Sequence, residues 1–359
     1  MHRPTPNAND RLPVAPTLRM WGLALVLFLA AAALMESGWR HMGFRPSVTD
    51  GFDLWAYHRE HVETAGPRTV VLLGRSRMQQ QFSPEVWRTA SPGYGYIQLA
   101  IGGKHPIGAL LDIAHNTDFR GVVVVSATSP SLLHETWDQQ GPYIDFYHMH
   151  WGPLRRSSRW LKTQFQARFT LLLPELLLHR VLPDLLRGNV APQFLWTHPD
   201  RCQTVDYRSV DIDAFRRMQY KKIEANMKRY VSLQSYTDWP TRLGGIEEAV
   251  RRIHARGGRV VFLRCPTSGA YRELEARHFP RRAYWDVFAA QTSAATLHFE
   301  DMPLVRDMQC AEGTHLYAED TWRFTAILAT MLKEMRVLEP KRDARAPKET
   351  GRRTDGDME

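Results

Sequence analysis

The chain has 359 residues, 43% of them hydrophobic and 11% aromatic, enough to bury a sizeable core and too apolar for a disordered polymer. Its formal net charge of +9 calls for an anionic environment or partner. No zinc-finger, homeodomain or RRM signature is present, so nucleic acid ranks behind an anionic membrane surface or an acidic polymer.

In chain order, residues 1–19 are rich in proline and asparagine and read as a disordered cytoplasmic tail. From Met20 to Met35 the run MWGLALVLFLAAAALM carries no charge, and Leu18 and Trp39 extend it toward the roughly 20 residues of a spanning helix. Arg3, Arg11 and Arg19 precede it, while Glu36, Arg40 and Arg45 follow. This bias favours a cytoplasmic N-terminus, a transmembrane signal anchor over 20–39 and the bulk of the chain on the far side. A cleaved signal peptide is the competing reading, because AAALM offers small residues near the end of the run.

Short apolar runs predict strands near 69–74, 96–101, 120–127, 258–264 and 295–300. The stretches 104–116, 243–256, 281–292 and 318–335 carry apolar residues at helical spacing, and Pro84 marks a further helix start. Buried strands alternating with helices predict a parallel sheet covered on both faces. The alternation stops between about 131 and 239, where HETWDQQGPYIDFYHMHWGP, FTLLLPELLLHRVLPDLL and FRRMQYKKIEANMKRYV read as a helical insertion, a cap beside the carboxyl edge of the sheet. The leucine-rich part suits either the core of that cap or a membrane surface. Residues 337–359 are charged, poor in apolar residues and read as a second disordered tail.

Ligands of parallel α/β sheets bind outside the carboxyl ends of the strands, and VVLLGRSRMQQQFSP puts Ser76 there, directly after the first strand. A serine becomes a nucleophile only when a base takes its proton and a third group orients that base. In DMQCAEGTHLYAEDTWRF, His315 falls between the last strand and the last helix, with Glu312 three residues earlier. The catalytic candidates are therefore Ser76, His315 and Glu312. Ser76 as a helix cap and Glu312 as a solvated loop acid are the plain alternatives.

These residues resemble the SGNH/GDSL hydrolases, especially members linked to bacterial exopolysaccharide and cell-wall acylation. LLGRSRMQQQFSP is similar to their first block, QLAIGGKHPIGALL to their second and EGTHL to their terminal Asp-x-x-His block, while CPTSGAYRELEARHFPRRAYWD is similar to a segment before their last strand. The resemblance covers roughly 65–130 and 240–336 and leaves 131–239 outside it. It implies an SGNH-like three-layer α/β sandwich with a parallel five-stranded sheet, to which the sequence itself adds the helical insertion and one N-terminal transmembrane helix. It also implies an O-acetyltransferase or acetylesterase working on a periplasmic or surface glycan from a single-pass position in the bacterial inner membrane. A membrane acyltransferase or a polysaccharide assembly complex is the implied partner, and no cofactor and no nucleic acid are called for. The oxyanion hole would be formed by the backbone N–H groups of Ser76 and Gly102, with Gly103 the alternative donor or a turn residue. Two departures stand out. Glutamate replaces the usual aspartate, and the third-block asparagine is missing from GVVVVSATSPSLL, where Ser126 or Thr128 would have to serve. A lost donor can cost about 2.7–4 kcal/mol of transition-state stabilisation, which keeps a non-catalytic, glycan-binding or scaffolding role in play.

Arg75 and Arg77 flank the serine and read either as ordinary surface charges or as groups that hold an acidic sugar. A metal site at His58, His61, His148 and His150 lacks a familiar carboxylate spacing and is not expected. Of the three cysteines, Cys202 and Cys310 are the pair expected if a disulfide forms, with Cys265 packed; three free thiols is the other reading.

Overall fold

A computed structural model describes residues 14–339. It opens with helix α1 (Val14–His41), of which Thr17–His41 is long and apolar enough to cross a membrane, a property that an N-terminal signal sequence shares. Most of the apolar side chains between Leu18 and Met35 are exposed, Phe28 and Trp21 among them. The end of α1 is nevertheless fastened to the body. The Glu36 carboxylate accepts the backbone N–H groups of Thr170 and Leu171, Arg40 donates to the Arg168 carbonyl at 2.6 Å, and Trp39 and Phe44 pack on Leu173, Leu176 and Val181.

After α2 (Phe52–Glu60) come β1 (Thr69–Leu73), α3 (Ser76–Gln80), α4 (Pro84–Ala90), β2 (Gly95–Gln98), α5 (Ile107–Asn116) and β3 (Val122–Ser126). The insertion follows, with α6 (Gly141–His150), α7 (Pro153–Gln166), α8 (Leu178–Arg187), a hairpin of β4 (Leu195–Thr197) and β5 (Gln203–Val205), α9 (Ile212–Val231) and the short α10 (Ser235–Asp238). The chain then returns to the sheet through α11 (Gly244–Ala255), β6 (Arg259–Arg264), α12 (Gly269–His278), α13 (Trp285–Gln291), β7 (Ala295–His298) and α14 (Ala318–Glu334). The insertion is thus mostly helical, as its sequence indicates, but the antiparallel hairpin is an addition to it.

Five parallel strands form the central sheet in the order β2-β1-β3-β6-β7. Alternation along each strand sorts its side chains between two layers. Val71, Leu73, Val123, Val125, Val260 and Phe262 join the cluster that holds Leu110 and Ile113 of α5 and Ile246, Val250 and Ile253 of α11. Val70, Leu72, Val122, Val124, Val261 and Leu263 join Trp87 of α4 and Phe324, Leu328 and Leu332 of α14. Both faces being buried explains why these strands read as unbroken apolar runs. The strand order reverses direction between β1 and β3, and in open α/β sheets that is where a crevice forms at the carboxyl ends.

Three expectations need amendment. Cys202, Cys265 and Cys310 are all free and buried, so the Cys202–Cys310 bridge is not formed. Cys202 sits against the Gln98 amide, whereas Cys310 faces the Pro266 carbonyl, and burial pushes the Cys310 thiol up to about 12. Of the expected tails, residues 1–13 and 340–359 lie outside the described residues; residues 14–19 belong to α1, and Val337 and Leu338 are buried in the α14 layer. The spanning segment expected over 20–39 is part of a helix that continues to His41.

Candidate active site

The turn out of β1 is set by close packing. A Cβ at Gly74 would lie 2.7 Å from Met78 Cβ and 2.9 Å from Ser126 Cβ, so only glycine lets α3 start this close to β3. Arg75 is still extended, at φ −106°, and Ser76 is the first residue of α3, half-buried at the crevice beside the strand reversal.

His315 and Glu312 reach the same place on a tight loop between β7 and α14. The Ala311 N–H donates to the His315 carbonyl at 2.7 Å, and Cys310 bridges to Leu316, closing the loop on itself. Gly313 stands at its apex with φ +94°, a left-handed conformation that suits glycine, and a Cβ there would come within 2.9 Å of Tyr271 Cβ. The fold therefore brings together residues 239 positions apart, with Ser76 Oγ 2.9 Å from His315 Nε2. His315 Nδ1 faces Glu312 Oε1 on the opposite side of the ring, and the Thr314 hydroxyl donates to the same carboxylate oxygen. Burial alone would raise the Glu312 pKa, but the charge of His315 and the hydrogen bonds from His315 and Thr314 outweigh it and hold the carboxyl below the usual carboxylate range. An ionised carboxylate on Nδ1–H leaves Nε2 free to accept the serine proton.

The backbone beside Ser76 comes from the loop after β2. A Cβ at Gly102 would lie 3.9 Å from Ser76 Cβ and 3.5 Å from Gln79 Oε1. Gly103 adopts φ +77° and lines the cleft, so it carries the turn. The side chains considered as stand-ins for the missing asparagine are engaged elsewhere. Ser126 Oγ lies 3.2 Å from Cys265 Sγ, and Thr128 Oγ1 lies 3.2 Å from Ser131 Oγ; both are buried.

The triad opens into a cleft of about 500 Å³ whose far wall is α9. One residue beneath it was not singled out in the sequence. His105 is fully buried below the cleft, with Nδ1 2.7 Å from Ser131 Oγ and Nε2 3.0 Å from the Tyr230 hydroxyl of α9. Burial, and then the neighbouring charges of Arg75 and Arg77, keep its pKa well below the ordinary histidine value, so the ring is neutral. Arg77 is buried, donates through Nη2 to the Tyr271 hydroxyl at 2.6 Å and lies 5.0 Å from that ring's centroid. Tyr271 falls inside the CPTSGAYRELEARHFPRRAYWD segment, the one place where the sequence could have pointed to it.

The histidines weighed as metal ligands are dispersed among other partners. His58 Nε2 lies 2.9 Å from the Pro199 carbonyl, His61 Nδ1 2.6 Å from the Tyr57 carbonyl and His148 Nε2 2.6 Å from Asp112 Oδ1. Asp112 also accepts from the buried Arg59, so its oxygens serve a structural ion pair.

No protein-family model matches the sequence, and no curated protein matches it. Among solved structures, the crystal structure of TesA is 15% identical, with 74% of this chain and 99% of that chain covered and a TM-score of 0.33. That score is too low to carry an argument about fold or activity.

Proposed function

We propose that the protein is an SGNH-type acyl-ester enzyme, an O-acetyltransferase or acetylesterase, that works on a glycan through Ser76, His315 and Glu312. The observation that carries this reading is the hydrogen-bonded line from Ser76 Oγ to His315 Nε2, with Glu312 on the other ring nitrogen. In the proposed cycle Ser76 Oγ attacks the carbonyl carbon of an acyl ester as its proton passes to His315 Nε2. The tetrahedral oxyanion is met by the backbone N–H groups of Ser76 and Gly102. Collapse breaks the ester C–O bond, His315 returns the proton to the leaving oxygen, and an acyl-Ser76 remains. Water or a sugar hydroxyl then attacks that acyl group, gives its proton to His315 and releases Ser76. Glu312 stabilises the imidazolium in both halves. A polar, open cleft suits a glycan better than a long acyl chain. The α1 anchor suits work outside the cytoplasm, beside a membrane acyltransferase or a polysaccharide assembly complex.

The second reading, a non-catalytic glycan-binding protein of such a complex, is favoured by one observation. Ser126 and Thr128 turn away from the cleft and leave the third oxyanion donor unassigned. Intact-mass spectrometry after a serine-directed fluorophosphonate separates the two. The expected result is one adduct on Ser76, absent in Ser76→Ala and in His315→Ala, with circular dichroism unchanged. A folded wild-type chain that stays unlabelled overturns the catalytic reading in favour of the binding one.

A further inference from the structure

The charge lining this cleft is one-sided. Arg75, Arg77, Lys104, Lys222 and Arg229 all face it, and no aspartate or glutamate is among its lining residues. Half of the described arginines outside the cleft have found acids. Arg216 pairs with Asp213, Arg242 with Asp238 and Arg281 with Asp286, Glu300 and Asp301, while Lys228, next to Arg229, pairs with Glu224. Among the described residues, none of the five cleft cations has an ion-pair partner. Like charges gathered in one cavity repel one another, so leaving them all unpaired costs stability and needs a compensating role.

Arg77 makes the case sharper. Its residue is only 7% exposed, yet Nη1 is buried without a hydrogen-bond partner, one position after the reactive serine. A buried guanidinium N–H group left unpaired is expensive, and the positive charge it keeps beside the cleft favours an anion there. The buried neutral ring of His105 contributes no opposing charge. It holds Arg75 from below, with Arg75 Nη1 3.5 Å from Nε2.

The opposite wall repeats the theme at a regular spacing. Lys222, Asn226 and Arg229 fall four and then three residues apart on α9, one face of the helix, and all three line the cleft. The seven-residue step from Lys222 to Arg229 is about 10 Å along the helix axis. A row of that length meets charges on successive sugar units better than it meets one small anion.

We infer that the substrate of this cleft is an anionic glycan, a polysaccharide carrying carboxylate or phosphate groups, held by Arg75 and Arg77 beside Ser76 and by Lys222 and Arg229 along α9. The inference deepens the acyl-ester reading by naming the charge class of the substrate, and it rests on that reading only for the word substrate. Binding can be measured without turnover.

The test uses the full-length chain carrying Ser76→Ala, in neutral detergent micelles, by isothermal titration calorimetry. The probes are tetragalacturonate, its fully methyl-esterified form and a short poly(glycerol phosphate). At least one of the two anionic probes should bind about tenfold or more tighter than the methyl ester, and its dissociation constant should rise about tenfold or more between about 50 and 500 mM sodium chloride. The better anion identifies carboxylate or phosphate as the natural group. A Lys222→Ala/Arg229→Ala double variant, altered only at exposed positions, should lose most of that charge selectivity while methyl-ester binding stays the same. Equal binding of charged and esterified probes, no binding of either anion, or an undiminished double variant each overturns the inference. Failure of fluorophosphonate labelling together with retained anion selectivity would remove the catalytic role of Ser76 and leave the anionic ligand standing.

Discussion

The two walls of the cleft share a void but differ in construction. On the sheet side, Glu312 and Thr314 are buried, His315 is tied to both, and the loop that carries them is closed by its own backbone. On the α9 side, Lys222 and Arg229 are exposed, and of the twenty residues of that helix only Met227 and Tyr230 are buried. On the proposed function, the contrast separates two jobs. Proton transfer needs donors and acceptors held to within fractions of an ångström, which a buried network supplies. Attraction of a charged polymer acts over a Debye length and tolerates mobile, solvated side chains.

The largest effects should follow from disturbing the rigid wall. Glu312→Gln keeps the shape of the side chain but removes the charge that stabilises the imidazolium. The acylation rate toward an activated acetyl ester should fall by about 10²–10⁴, with KM nearly constant, by analogy with amide replacement in serine triads. A fall in kcat/KM carried entirely by KM would instead assign Glu312 to binding. Beneath the same wall, Phe324 of α14 is 1% exposed among the valines of β1 and β3, and Phe324→Ala should cost about 3–5 kcal/mol in urea unfolding. Met218→Ala, on the exposed surface of α9, should stay within about 0.5 kcal/mol of wild type. Equal losses at the two positions would erase the distinction between the walls.

The smallest effect is in pH. His298 is held down to about 2, first by burial and then by the charges of Arg264, Arg281 and Arg272, and His58 to about 4 by burial and Arg201. His105 is shifted in the same direction. In the unfolded chain these rings take up protons near pH 6.5 and in the folded chain they do not. Their contribution is therefore complete above about pH 6.5 and is lost as the pH falls, down to about 4 for His58 and about 2 for His298. Thermal melts should show a falling Tm between pH 6.5 and 5, and His298→Asn should make the decline shallower. A Tm that holds constant across that interval would show that these rings are free to charge in the folded state.

Much of the rigid wall was legible in the sequence. Runs such as VVLL and VVVV are buried on both faces, so they stand out without any knowledge of their neighbours, and the strands at 69–73, 122–126 and 259–264 fall where those runs predict. Ser76, His315 and Glu312 could be picked out because each follows a strand of the same sheet, although their contact could not be read. The other wall was hidden. Lys222 and Arg229 look like any solvated helix face until their lack of acidic partners is seen in three dimensions. His105 depends on Tyr230, 125 residues away, and Arg201 on Asp50, 151 residues away. Strands of three residues, such as 195–197 and 203–205, are too short to show a period against their prolines and polar neighbours. The cysteines stayed undecided for a related reason. Their positions along the chain say nothing of whether Cys202, against Gln98, and Cys310, against Pro266, face each other.

The fastening of α1 has a consequence for reach. Glu36, Arg40, Trp39 and Phe44 join the end of the apolar helix to residues 168–181 by hydrogen bonds and a buried cluster, so no slack linker separates that helix from the body. A leash would let the cleft sweep a hemisphere above a bilayer and meet polymer at any height. A bracket holds it at one standing height and one tilt. On the proposed function, and with α1 in a membrane, the segments of polymer open to modification would be chosen by where the strand passes relative to the lipid surface, much as a fixed print head marks only the line of paper that runs beneath it.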